Sequence, residues 1–220
     1  LDLLADADRA AGALTHTPEK AHARRSRGAD EVVGGDLLNP GDAARAVADC
    51  DFVLSAVGTR SPVRMLVGDL VDGTGVENLV PAAVAADVDR FVFESSIGVG
   101  DSRQGMPAPF RVLIWRVLAA KNRGEAALRT SRLSHTVVRP GMLTNAPATG
   151  DVLVGEGGAT VSGSIPRADV ARLMVAAPFT PESENRTFEV VSRDGLRGTA
   201  RGLVDVNWQS PVEEEIAVEE

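Results

Sequence analysis

The stretch 90-RFVFESSIGVG-100 decides the fold. Its first half, Arg90 to Ser95, is a short run of bulky and β-branched residues with no helical period, the mark of a strand buried on both faces. Its second half, Ser95-Ser96-Ile97-Gly98-Val99-Gly100, turns abruptly to small residues and glycine, as a strand does where it leaves a sheet. Working outward, the same grammar recurs. Strands are expected at Ala10 to Thr15, Glu31 to Gly35, Phe52 to Ala56, Arg90 to Ser95, Ser134 to Arg139 and Thr187 to Val191. Between them, segments of helical period run from Pro18 to Arg27, Asp42 to Ala48, Val67 to Ala86, Val112 to Thr130 and Arg167 to Ala177. Apolar strands alternating with longer helices predict an α/β protein with a doubly wound parallel sheet of Rossmann type in a single domain. The domain is expected to span residues 1–205 and an acidic tail 206–220, with Glu213-Glu214-Glu215 and Glu219-Glu220 as a frayed, solvated end. The glycine-rich segment Gly150 to Ser164 is expected to form a small hairpin and loop.

Composition narrows the function. With 220 residues, 44% of them hydrophobic, one domain can bury a sizeable core. A net charge of −8 argues against a non-specific nucleic-acid binder, which needs Lys and Arg to displace counterions from phosphate. The single cysteine, Cys50, excludes an internal disulfide and fits a reducing, cytoplasmic setting. No stretch has the length of a membrane span. His16, His22 and His135 show no ligand spacing, so no metal is expected. Trp115 and Trp208 are packing or pocket-wall residues.

In an open parallel sheet, ligands bind at the carboxyl ends of the strands. Three ends here are rich in small or turn residues: Ser55-Ala56-Val57-Gly58, Ser95-Ser96-Ile97-Gly98 and Arg139-Pro140-Gly141-Met142-Leu143. Together with Gly35-Asp36-Leu37 and Lys121, this ordered set resembles the atypical short-chain dehydrogenase/reductases, in their NAD(P)-binding, NmrA-like branch. By that resemblance Asp36 and Leu37 flank the adenine, and Ser55, Ala56, Val57 and Gly58 line the ribose and diphosphate side. Pro140, Gly141 and Leu143 border the nicotinamide, Ser95 or Ser96 faces a small-molecule substrate, and Lys121 hydrogen-bonds the nicotinamide ribose. The catalytic set is then Ser95, Ser96 and Lys121.

Two departures qualify this. Typical active members carry a Tyr four residues before the helix Lys; here Val117 stands there, and the chain contains no Tyr. The chain also opens at Leu1-Asp2-Leu3-Leu4-Ala5, read as the end of the family's first helix, so the family's first strand and glycine-rich phosphate turn are expected to be missing and dinucleotide binding by these residues alone to be poor. The resemblance therefore implies an NAD(P)H-dependent oxidoreductase for a carbonyl, quinone or flavin-like acceptor, or a non-catalytic dinucleotide-sensing regulator. The Ala10 strand ends in Thr15-His16-Thr17 without the acid that NAD enzymes place there, which leans toward NADP over NAD; His16 is read either as a cofactor contact or as a surface histidine.

Overall fold

The structure is a computed structural model that describes residues 1–211 apart from 60, 62, 64 and 66. A short helix α1 (Asp2–Asp6) leads to strand β1 (Gly12–Thr15), helix α2 (Ala21–Arg25), strand β2 (Glu31–Gly34), helix α3 (Pro40–Val47) and strand β3 (Phe52–Ser55). A π-helical turn, Val71–Gly75, opens helix α4 (Val76–Ala85), followed by strand β4 (Arg90–Glu94). Helices α5 (Ala108–Leu113) and α6 (Trp115–Thr130) lead to strand β5 (Ser134–Pro140). Strands β6 (Met142–Thr144), β7 (Val152–Gly155) and β8 (Ser164–Pro166), helix α7 (Arg167–Ala176) and strand β9 (Arg186–Ser192) complete the order.

The main sheet runs β3-β4-β5-β9-β7, with β3, β4, β5 and β9 parallel and β7 antiparallel to β9. The doubly wound α/β architecture expected from the sequence is present. Apolar residues cover both faces of the sheet, as continuous strands such as Phe91-Val92-Phe93 require. On one side Phe91, Phe93 and Val137 pack with Leu79, Ala83 and Leu128 of α4 and α6; on the other Val92, Val138, Phe188 and Val190 pack with Val170, Leu173 and Met174 of α7. Burial of such side chains contributes about 1.5–3 kcal/mol each.

Several local expectations change. Strands β1 and β2 form their own parallel pair, and no ladder joins them to β3 among the described residues. The segment read as a hairpin is not one: β7 pairs with β9, while β8 pairs in parallel with β6. Alternation cannot reveal strands three or four residues long whose partners lie far along the chain. The helix expected from Val112 begins as two, broken at Ile114. At the far end, Val206 and Trp208 join the α7-side core, Trp208 meeting Phe188 edge to face, so packing continues past residue 205. The acidic run at 213–220 lies outside the described residues.

Candidate functional site

Parallel pairing brings the carboxyl ends of β3, β4 and β5 side by side. At the end of β3, Ser55 is buried, and its hydroxyl has no hydrogen-bond partner among the described residues. A buried hydroxyl left unpaired costs about 1–3 kcal/mol, a cost that a water or a bound ligand group would remove. The turn that follows, Ala56-Val57-Gly58-Thr59, is half-exposed, and the Thr59 amide donates to Asp72 Oδ2 at 2.8 Å. At Gly58 a Cβ would find Asp72 Oδ1 3.7 Å away, ordinary contact. An orphaned buried hydroxyl beside an exposed small-residue turn fits a ribose or diphosphate group that brings its own donors and acceptors.

The β4 end continues beyond the strand proper. The Ser95 amide donates to Val138 O and the Ile97 amide to Pro140 O, so the ladder with β5 holds to Ile97 and side chains keep alternating. Phe93 and Ser95 therefore point toward α6, Glu94 and Ser96 away from it. Ser95 is wholly enclosed: its hydroxyl donates to Glu125 Oε1 at 2.5 Å. Ser96 is half-buried, and its hydroxyl donates to Ile97 O at 2.9 Å. Of the serine pair, Ser96 is the one the fold leaves partly exposed.

Glu125 anchors a buried charged cluster. It accepts from Arg139 through Nε at 2.9 Å and Nη2 at 2.7 Å, and from Arg129; Arg139 also donates to Asp101. Glu125 and Arg139 are 0% and 2% exposed. Burial pushes the Glu125 carboxyl up, but the Arg139 hydrogen bonds and charge outweigh it and hold it below the usual range. This bidentate pair fixes the end of β5 against α6 just before Pro140. Beyond it, Gly141 is obligatory: a Cβ there would stand 2.5 Å from Gly163 O. Pro140 is buried, while Leu143 is half-buried against the α7-side core.

Lys121 lies one helical turn before Glu125 and is itself buried at 8% exposure. Its ammonium donates to Glu94 O at 2.8 Å, lies 3.8 Å from Asp72 Oδ1, and sits 5.4 Å from the Phe93 ring centroid. Burial lowers its pKa, opposed by the charges of Asp72, Glu94 and Glu125. Asp72, 1% exposed on the π-helical turn, thus ties the β3 turn to α6. π-Helical turns are frequent at functional sites. Sequence reading missed Asp72, Glu94 and Glu125. Only Glu94 had a local signal, an acid at the end of an apolar run, and apart from Arg129 beside Glu125 their partners are 13 to 49 residues away.

The remaining residues of the predicted site sit on the β1–β2 pair. His16 and Asp36 follow adjacent strands, with Nδ1 and Oδ2 3.7 Å apart. Asp36 Oδ1 accepts from the Leu38 amide. The Leu37 side chain belongs to the core, and its carbonyl accepts from Asn78 Nδ2. His135 is buried with Nδ1 3.0 Å from Leu133 O. Among the described residues no group of His, Cys, Asp and Glu could hold a metal, and no helix is long and apolar enough to cross a membrane.

Comparison with known proteins bears on the family and the fold. The sequence profile of the NAD(P)H-binding family matches residues 1–181. An uncharacterized chloroplastic protein of Arabidopsis thaliana is 34% identical over 169 residues, 74% of this chain and 60% of that protein, so the match spans less than two thirds of that relative's length. The uncharacterized sugar epimerase YhfK of Bacillus subtilis is 28% identical over 189 residues, 85% of this chain and 84% of that one. Among solved structures, the anaerobilin reductase ChuY of Escherichia coli O157:H7 superposes with a TM-score of 0.77 at 21% identity, covering 90% of this chain and 91% of its own; at that identity the likeness is one of fold.

Proposed function

Because this chain belongs to the NAD(P)H-binding family, as an atypical short-chain dehydrogenase/reductase-like protein, we propose that it is an NADPH-dependent reductase of a small carbonyl, quinone or flavin-like acceptor. The observation that carries this reading is the unpartnered, buried Ser55 hydroxyl at the carboxyl edge it shares with Ser96 and Pro140 to Leu143. Ser55 and the Ala56 to Gly58 turn would hold the adenosine and diphosphate side, with His16, Asp36 and the Leu37 backbone toward the adenine. Pro140, Gly141 and Leu143 would wall the nicotinamide side. When bound, the dihydronicotinamide supplies a hydride, two electrons with one hydrogen, to the acceptor. Ser96 would then orient the acceptor, while Ser95 and Lys121 act from beneath. Ser95 steadies β4 through Glu125, and Lys121 fixes the Glu94 carbonyl and the Asp72-bound turn.

The lean toward NADPH rests on Thr15-His16-Thr17 at the β1 end, where no acid follows the strand to accept from ribose hydroxyls. A specific observation favours a second reading, dinucleotide sensing without turnover: the chain has no tyrosine, and its buried Lys121 ammonium is already engaged. Fluorescence titration of the full-length protein with NADPH, followed by its oxidation at 340 nm with menadione or FMN added, separates the two. Saturable binding with acceptor-dependent oxidation is expected. Binding without oxidation by either acceptor would favour the sensor, and absence of binding would refute both.

A further inference from the structure

A reductase that delivers hydride to a carbonyl or quinone must also deliver a proton to the oxygen, and this chain has no tyrosine to do so. We propose that Glu94 is the catalytic proton donor, standing on the last residue of β4 on the same face as Ser96. The inference rests on the reductase reading above. Its basis is geometric. Ladder hydrogen bonds continue past Glu94 to Ile97, so Glu94 and Ser96, two residues apart, share the sheet face turned from α6. The Glu94 carboxyl is half-buried and makes no hydrogen bond among the described residues, although its own carbonyl is held by Lys121 at 2.8 Å. Its neighbours Ser95, Glu125, Asp72 and Lys121 are all committed to partners within the protein. Among the described residues, Glu94 alone of these acids is left with an uncommitted carboxyl at the strand end.

The charges that act on Glu94 are those of Lys121 on α6, Arg167 at the start of α7 and Asp72 on the π-helical turn. Burial raises the Glu94 pKa; Lys121 and Arg167 offset part of that rise and Asp72 adds to it. A carboxyl so placed keeps its proton closer to neutral pH, as a general acid must. The step balances as follows. On a carbonyl acceptor, hydride from the dihydronicotinamide forms a new C–H bond while the C=O π pair moves to oxygen. On a quinone such as menadione the hydride ends on one oxygen, the ring becomes aromatic and the displaced pair moves to the other oxygen. That oxygen takes the Glu94 proton, and the resulting carboxylate regains a proton from water. The acceptor is reduced by two electrons and the dinucleotide oxidised by two. General acids of this kind contribute about 10²–10⁴ in rate.

Three measurements on the whole protein decide the matter. Carbon-13 NMR of glutamate carboxyls, with Glu94→Gln assigning the signal that vanishes, is expected to show Glu94 titrating above the ordinary glutamate range. NADPH titration of Glu94→Gln is expected to give a Kd within about 3-fold of the parent, since the carboxyl does not hold the dinucleotide, whereas turnover with menadione falls by about 10² or more. The parent rate is expected to fall as pH rises through the Glu94 pKa; Glu94→Gln loses that limb and Glu94→Asp recovers it in part. A Glu94 that titrates in the ordinary range, or a Glu94→Gln enzyme that keeps its rate and its limb, overturns the proton-donor role and leaves the reductase reading intact. A parent that binds NADPH yet oxidises it with neither menadione nor FMN overturns the reductase reading, and the proton-donor role with it.

Discussion

Replacing Glu125 with glutamine removes one negative charge from the most enclosed ion pair in the described protein. The Arg139 guanidinium, 2% exposed, would keep its buried charge with only Asp101 to balance it, and Asp101 is 65% exposed. Removing one partner of a buried pair costs about 3–5 kcal/mol. Because glutamine still accepts from Arg139 and Ser95, and Asp101 remains, the low end, about 3 kcal/mol, is expected. With a urea m-value of about 2 kcal/mol/M, that shifts the unfolding midpoint down by about 1.5 M. The pH dependence has a defined sign. The folded Glu125 pKa is depressed, so its contribution is fully present above the unfolded value of about 4.3 and is lost as pH falls through the folded one. The gap between parent and variant is therefore flat from pH 8 to pH 6 and narrows only in acid. A second variant, Glu125→Leu with Arg139→Met, removes both charges and is expected to recover most of the loss. The orphaned Ser95 hydroxyl leaves about 1 kcal/mol unrecovered. Urea unfolding of all three proteins checks this. A Glu125→Gln loss under 1 kcal/mol, or a double variant no more stable than the single, would refute the claim that a desolvated ion pair locks β5 to α6.

Other outcomes follow from single positions. Ser55→Ala removes an unpaired buried hydroxyl, so the protein without dinucleotide should gain about 1 kcal/mol in thermal unfolding while NADPH affinity drops several-fold. Glu94→Gln should stabilise the protein at pH 8 and leave it unchanged at pH 4. A carboxyl whose folded pKa is raised contributes fully below its unfolded pKa, and that contribution is lost as pH rises through the folded one; urea midpoints at both pH values test this. Gly141→Ala, pressed against the Gly163 carbonyl, should cost about 1–3 kcal/mol by the same measurement. His16→Glu should lower NADPH affinity more than NADH affinity, since it places an acid where a 2′-phosphate would lie.

The strands of the sheet were legible because each is a local pattern. Phe91-Val92-Phe93 and Val137-Val138 are apolar on both faces, and β4 and β5 fall within one residue of where that pattern places them. The edge was legible for the same reason: Gly58, Gly98 and Gly141 each punctuate a strand end. What escaped depends on partners distant in sequence. Nothing near Glu125 announces Arg139 and Ser95, and nothing near Lys121 announces Asp72, 49 residues earlier. Burial of Lys121 also changes its part, because an ammonium bonded to the Glu94 carbonyl braces the strand end from below. The short strands β6 and β8, paired with each other across some twenty residues, carry too few side chains to show alternation.

The most direct test of the central claim is a ¹H–¹⁵N correlation spectrum of the protein titrated with NADPH. The account predicts saturable shifts concentrated at Ser55 to Thr59, Glu94 to Gly98 and Gly141 to Leu143, with Ser55 among the largest. Absence of saturable shifts, or shifts confined to the opposite, amino-terminal ends of the same strands around Phe52, Arg90 and Ser134, would contradict it.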